Sequence, residues 1–305
     1  MKFQSIPGVC SLSRVDGADA DPSRAPDLVV ELPHGATRTS DYDALRARLR
    51  GAYPADLVDF FHVNTDVGSP ELGEAVAAAF VAAAPTRSVV LVRSCIPRTY
   101  IDCNRVIDVD PSLYAQGGVT PGVPPWVVDP FDLTLLRGIH AAYVEAASAT
   151  IDLVCRGGGV ALLLHTYAPR SVDVQVDADI VRALRAAWAP DRAPSWPLRP
   201  DVDVIGRTLQ GEPRVPPEVL AGLVSDYAAL GLGVADSATY PIHPSTWAWH
   251  HDLRYPGRVL CIEVRRDHLA APWDPFVEMR IDTSAAGRLA PPIARALEAL
   301  RSAAE

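Results

Sequence analysis

Four short runs along the chain are almost continuously apolar: Leu28-Val-Val-Glu-Leu32, Ser88-Val-Val-Leu-Val-Arg93, Val160-Ala-Leu-Leu-Leu164 and Arg258-Val-Leu-Cys-Ile-Glu263-Val264. Unbroken runs of this length read as strands buried on both faces, as in parallel sheets. Helical spacing fills the stretches between them. A helix is predicted after the capping residues at Ser40, and another over 69–84 with Pro70 in its first turn. Others fall at 133–156, stopped by Gly157, within 177–188, over 216–231 with glycine at its end, and at the close over 291–304. Strands alternating with helices predict an α/β fold: one three-layer domain with a mixed, mostly parallel central sheet flanked by helices.

The remaining segments read as irregular. Residues 1–26 are a polar lead-in with a hairpin at a sheet edge, ahead of a domain over 27–305. Residues 56–68 read as a loop or short strand. Residues 106–130 hold Pro111, Pro121, Pro124, Pro125 and Pro130 with Gly117-Gly118, a long loop of the kind that is often functional. Residues 240–251 form a loop rich in aromatics and histidines.

Composition narrows the function classes. A 305-residue chain with 49% hydrophobic and 21% charged residues can bury a large core. A formal net charge of −9 and a pI near 5.4 argue against nucleic-acid binding. No apolar run approaches the roughly 20 residues of a membrane span. The N-terminus lacks an apolar signal core. The five cysteines are dispersed without a Cys-x-x-Cys pair, and three in apolar runs read as reduced core residues, which predicts a cytoplasmic protein. The sequence does not set the oligomeric state.

Polar residues at the strand ends carry the chemistry. Arg98-Thr-Tyr-Ile-Asp102-Cys-Asn104-Arg105 sets two guanidiniums, an amide and a carboxylate just past a strand. Such a cluster is either an ion network, with Asp102 paired to Arg98 or Arg105, or an anion-binding site. His34 follows its strand beside Gly35, and His165 ends another. Asp66 precedes a helix cap, where it either stabilises the helix N-terminus or ligates a metal. Glu263 ends an apolar run and is costly there unless it pairs with Arg265 or Arg266 or is functional. His140 sits within a helix as a packing or solvated residue. His250-His251 are adjacent and share no face, so they are not a paired metal motif.

In parallel sheets ligands gather at the carboxyl ends of the strands. Two imidazoles and a carboxylate suit a zinc ion with an open fourth position. Zinc acidifies water, a carboxylate takes the proton, an arginine holds the oxyanion, and an Arg/Asn pair holds a substrate carboxylate. That is a constellation for hydrolysing an amide beside an acid group.

Pro33-His34-Gly35, Asn64-Thr65-Asp66, the Arg98 to Arg105 block, Leu164-His165-Thr166 and Cys261-Ile-Glu263-Val264 resemble, in order, the motifs of the N-formylglutamate amidohydrolase family. The resemblance spans about residues 28–270, and the Arg…Asp-x-Asn-Arg block is its most specific part. That family is similar in fold to zinc carboxypeptidases and aspartoacylase-type deacylases. The resemblance implies one Zn2+ ion held by His34, Asp66 and His165. It implies Glu263 as general base and then acid, and Arg98 polarising the scissile carbonyl. Asn104 and Arg105 would grip the carboxylate of a small N-formyl- or N-acyl-amino acid.

There are departures. Thr37 stands where carboxypeptidases and aspartoacylases carry a ligating Glu, so the second ligand comes from Asp66, with His62 as rival. Leu163-Leu164-His165-Thr166 replaces the family's Asp-x-His-Ser, and the segment 240–251 replaces Gly-Gly-Tyr. Substrate choice is expected to differ there, with Tyr240 and His243 either lining the pocket or lying on the surface. The alternatives are a same-fold metallopeptidase or deacylase, or a non-catalytic carboxylate-binding protein.

Overall fold

The computed structural model describes residues 3–115 and 119–303. Gly117-Gly118 of the proline-rich loop and Ala304 of the closing helix lie outside the described residues. Seven strands form one sheet: β1 (Cys10–Asp16), β2 (Leu28–Leu32), β3 (Ser88–Ser94), β4 (Val160–Tyr167), β5 (Val202–Val204), β6 (Val234–Asp236) and β7 (Val259–Arg265). Their spatial order is β1-β3-β2-β4-β7-β5-β6. The four apolar runs make the parallel centre β3-β2-β4-β7, while β1 and β5 join it antiparallel. The fold is thus one domain with a mixed, mostly parallel sheet, as the alternation of runs predicts. The segment read as a lead-in supplies β1, which pairs with β3 along its whole length.

Helices cover both faces. They are α1 (Thr39–Arg46), α2 (Leu57–Asn64), α3 (Ser69–Ala83), α4 (Pro111–Ala115), α5 (Pro130–Arg156), α6 (Ile180–Ala187), α7 (Pro217–Ala228), α8 (Trp247–Arg254) and α9 (Thr283–Ala303). Side chains of a strand alternate between faces, so each strand feeds two cores. Leu28, Val30, Leu162, Leu164, Leu260 and Ile262 pack on one face with α3, α7 and α9. Val29, Ala161, Leu163, Val259 and Cys261 pack on the other with α1, α2, α5, α6 and α8. The chain runs from β2 outward to β3 and then returns to β4 on the other side of β2. The carboxyl ends of β2 and β4 therefore flank a topological switch point, where such sheets open a crevice.

Several segments depart from the sequence reading. Residues 57–64 are helix α2 rather than loop or strand, because Leu57, Phe60 and Phe61 place a buried stripe at helical spacing. Within 240–251, α8 starts at Trp247, where the Thr246 hydroxyl accepts from the Trp249 amide. The closing helix begins at Thr283, eight residues early, and runs through Pro291 and Pro292. Proline inside a helix removes a donor and crowds the preceding turn. Burial of Leu289, Pro292, Ile293 and Leu297 offsets that cost. All five cysteines are free thiols. Among the described residues no helix is long and apolar enough to cross a membrane.

One buried carboxylate fixes the connection between α1 and α2. Asp132 is fully buried in the first turn of α5. It accepts from the amides of Arg50 (2.9 Å) and Gly51 (2.8 Å) and from the Tyr53 hydroxyl (2.8 Å). Burial opposes its charge, but these donors outweigh burial and lower its pKa. Its stabilisation is therefore full above the ordinary aspartate value of about 3.9 and is lost as pH falls through the lower folded value. Asp132→Ala is expected to lower stability at neutral pH by on the order of 2–3 kcal/mol. Urea unfolding of both proteins at neutral and acid pH checks this: the gap must shrink on acidification, and a gap that widens would reject the assignment.

Candidate metal centre

Strand pairing sets two of the site's groups side by side. In the parallel β4–β7 pair, His165 lies opposite Glu263. By strand alternation both project to the face that holds Leu163 and Cys261. His34 reaches the same place from the turn after β2. That turn needs glycine next to the histidine, since a Cβ on Gly35 would lie 2.6 Å from Arg93 Cγ. Asp66 arrives from the α2–α3 connection. Gly68, at φ +81°, turns the chain into α3, and a Cβ there would meet Leu269 at 2.9 Å.

Three donor atoms converge. Asp66 Oδ2 is 3.3 Å from His34 Nδ1 and 3.1 Å from His165 Nδ1, and the two nitrogens are 3.2 Å apart. All three residues are buried. The imidazole tautomer of His34 is set by its other nitrogen, 2.7 Å from Asp102 Oδ1. A carboxylate only accepts, so Nε2 carries the proton and the Nδ1 lone pair faces the cluster. His62, on α2, is not in this group.

Asp66 is anchored from behind. Thr166 N donates to Oδ2 at 3.2 Å and Arg266 Nη2 to Oδ1 at 3.3 Å. Arg266 is itself held by the carbonyls of Val63 (2.6 Å) and Thr166 (3.1 Å). Burial disfavours the Asp66 charge, but His34 and His165 outweigh it and lower the pKa. Burial and Arg98 disfavour a proton on His34, yet Asp102 and Asp66 prevail and raise its pKa. Burial of Asp102 is likewise outweighed, by Arg98, His34 and Arg105, which hold its carboxyl well below the usual range.

Asp102 therefore both pairs with Arg98, whose Nε lies 3.1 Å from Oδ2, and orients His34. The second role was not legible from the sequence. Glu263 pairs with neither of its neighbouring arginines. Arg265 binds Asp201 and Asp267, and Arg266 binds Asp66. Glu263 Oε2 is buried and without a hydrogen-bond partner among the described residues. Burial, opposed by His165 and reinforced by Asp66, pushes the Glu263 carboxyl up to about 7.

These groups open on a cavity of about 460 Å³. His34, His165, Glu263, Arg98, Asn104 and Arg105 all line it. Arg105 donates through Nε to Thr120 O, and Asn104 places Nδ2 3.5 Å from His165 Nε2. Tyr240 and His243 also line the cavity rather than the surface. The Tyr240 hydroxyl accepts from Arg199, and His243 Nδ1 is tied to Ser245. Arg199, a further lining cation, was missed because it sits in a hydrophilic stretch with no strand signal. His140 is a buried structural residue on the Arg105 carbonyl.

The donor set fits a divalent ion. Separations of 3.1–3.3 Å match the edge of about 3.3 Å expected for a tetrahedron with arms of roughly 2.0–2.1 Å. Two imidazoles and one carboxylate suit zinc or a similar ion. The Asp102–His34 bond has the form of the outer-shell carboxylate that orients ligating histidines.

Fold and site together define an α/β protein with a mixed, mostly parallel sheet and a candidate metal centre at its switch point. No protein-family model matches the chain, and no curated protein matches it in sequence. Among solved structures, an N-formylglutamate amidohydrolase from Ralstonia eutropha JMP134 is similar over 97% of this chain and 99% of its own, with a TM-score of 0.55 at 18% identity. The gene product Atu2144 from Agrobacterium tumefaciens is similar over 99% of each chain, with a TM-score of 0.52 at 12% identity. At such identities the likeness is one of fold.

Metal titration separates ligand from support. His34→Ala is expected to abolish retention of zinc, and Asp102→Asn to weaken it by about 10–100-fold. Elemental analysis after dialysis and competition with a chromogenic chelator read both. A His34→Ala protein that stays fully loaded would remove His34 from the ligand set.

Proposed function

We propose that this protein is a zinc-dependent hydrolase of the N-formylglutamate amidohydrolase family, cleaving the amide of an N-formyl- or N-acyl-amino acid. The observation that carries the reading is the convergence of His34, Asp66 and His165 donor atoms beside an unpaired Glu263. His34, Asp66 and His165 would hold the ion. When bound, zinc supplies Lewis acidity, which lowers the pKa of water and polarises a carbonyl oxygen.

The protein's own groups do the rest. Glu263, with a carboxyl near 7 and a free oxygen, takes the proton of the attacking water and hands it to the departing nitrogen. Arg98 stays charged through its pairing with Asp102 and donates to the oxyanion as it develops. Arg105, which makes no salt bridge among the described residues, offers its guanidinium to the substrate carboxylate, and Asn104 adds an amide donor. A substrate that fills the cavity would displace water from these charges and strengthen each contact.

Two substitutions test the roles. Glu263→Gln is expected to retain zinc but lower kcat by about two or more orders of magnitude. Arg105→Ala is expected to raise KM mainly, through loss of a charge-assisted contact. Unchanged kinetics in Arg105→Ala would reject the clamp. A zinc-loaded wild type that binds N-acyl amino acids without turnover would favour the carboxylate-binding alternative.

A further inference from the structure

Much of the cavity wall is unsuited to formyl or glutamate. Phe60 and Val63 of α2, Trp126, Val172, Val176 and Trp188 all line the cavity. All six belong to, or pack on, one apolar cluster. Trp126 meets Phe60 edge to face, with ring centroids 5.3 Å apart. Its only polar atom is already used, since Nε1 donates to Thr99 O at 3.0 Å. The Asn64 side chain is likewise engaged, accepting from the Thr99 hydroxyl at 2.9 Å. This wall therefore presents mostly hydrocarbon, and its one buried donor without a hydrogen-bond partner among the described residues is Trp188 Nε1.

Its position is tied to the chemistry. Helix α2 leads within two residues of its end to Asp66. Thr99, which fixes both Trp126 and Asn64, follows Arg98 directly. Charge recognition is supplied separately by Arg105 and Arg199, neither of which makes a salt bridge among the described residues. A cavity of about 460 Å³ falls within the range of roughly 300–1,000 Å³ that takes drug-sized ligands. A formyl group has no carbon beyond its carbonyl and would leave this wall wet.

We propose that the substrate is a carboxylate-bearing amide with a bulky apolar group, an aliphatic chain or aryl ring, seated against the Phe60–Trp126–Val172–Val176–Trp188 wall. The proposal rests on the hydrolase reading for its reaction. Two sources share this chemistry: the acyl group or the amino-acid side chain.

The test compares N-formylglutamate, N-octanoylglutamate and N-formylphenylalanine on the zinc-loaded protein. Each methylene buried on the wall is worth roughly a three- to five-fold gain in kcat/KM. At least one bulky compound is therefore expected to exceed N-formylglutamate by about ten-fold or more. A gain with N-octanoylglutamate places the apolar group on the acyl side, and a gain with N-formylphenylalanine places it on the amino acid. Val176→Asn and Trp188→Ala, both at half-buried positions, are each expected to cut that preference about ten-fold. N-formylglutamate as the best substrate, or a preference unmoved in both variants, would overturn the proposal. If no compound turns over, the hydrolase reading fails, and calorimetric binding decides the wall separately. Tighter binding of either bulky compound than of N-formylglutamate supports it, and equal or weaker binding of both overturns it.

Discussion

Asp66 has almost no water to stabilise its charge, being 2% exposed. An ionised carboxylate that deep is tolerable only if donors surround it. Arg266 and the Thr166 amide supply two contacts from the end of β7 and from β4, and the two imidazoles complete the shell. The rest of the site follows from this constraint. Arg266 must be buried to reach Asp66, so it spends its remaining donors on the Val63 and Thr166 carbonyls. Those bonds join the α2 end to the β4 end. The same contacts that hold one charge therefore fix the spacing of elements that carry the histidines and the cavity wall.

The cluster has a second consequence. Two imidazole nitrogens and a carboxylate oxygen within 3.3 Å repel through their lone pairs unless a proton or cation lies among them. Asp102 strengthens this, because it accepts a hydrogen bond from the Nε2–H of His34 and so commits Nδ1 to the cluster. Glu263 lies outside this balance. Its Oε2 is buried, but it makes no salt bridge among the described residues, and its carboxyl rises while that of Asp66 falls. Two buried carboxylates with opposite shifts are what a division between ligand and proton carrier requires.

The strand ends were legible because the four central strands are continuous apolar runs, and polar residues stand out where each run stops. His34, His165 and Glu263 were read that way, while the place of Asp66 before α3 left a helix-stabilising role open and the family resemblance alone implied it as a ligand. Partner choice was not legible. That His165 faces Glu263 depends on the β4–β7 register, which no local pattern encodes. That Asp102 serves His34 as well as Arg98 depends on a contact across 68 residues. The misread elements share a physical reason. Strands β5 and β6 are three residues each and draw their order from the sheet edge they join. Helix α2 has Asp59, His62 and Asn64 interspersed in eight residues, which blurs its periodicity. In α9, packing overrides the prolines. Where tertiary contacts outweigh local propensity, a single sequence gives the wrong boundary.

The cavity joins two demands that are usually separate. In the proposed hydrolysis, proton transfer at Glu263 needs a dry surround, because burial is what raises its carboxyl and what would strengthen contacts to an oxyanion. An apolar wall provides that dryness only when something covers it, and the wall here includes Phe60 and Val63 of α2, the helix that leads to Asp66. A substrate that wets the wall would leave the site solvated and its electrostatics weak. One that fills it with hydrocarbon expels water at the moment the proton must move. On the proposed reading, recognition of the apolar group and tuning of Glu263 are then one event, and binding energy gained at the wall would be expressed at the carboxylate.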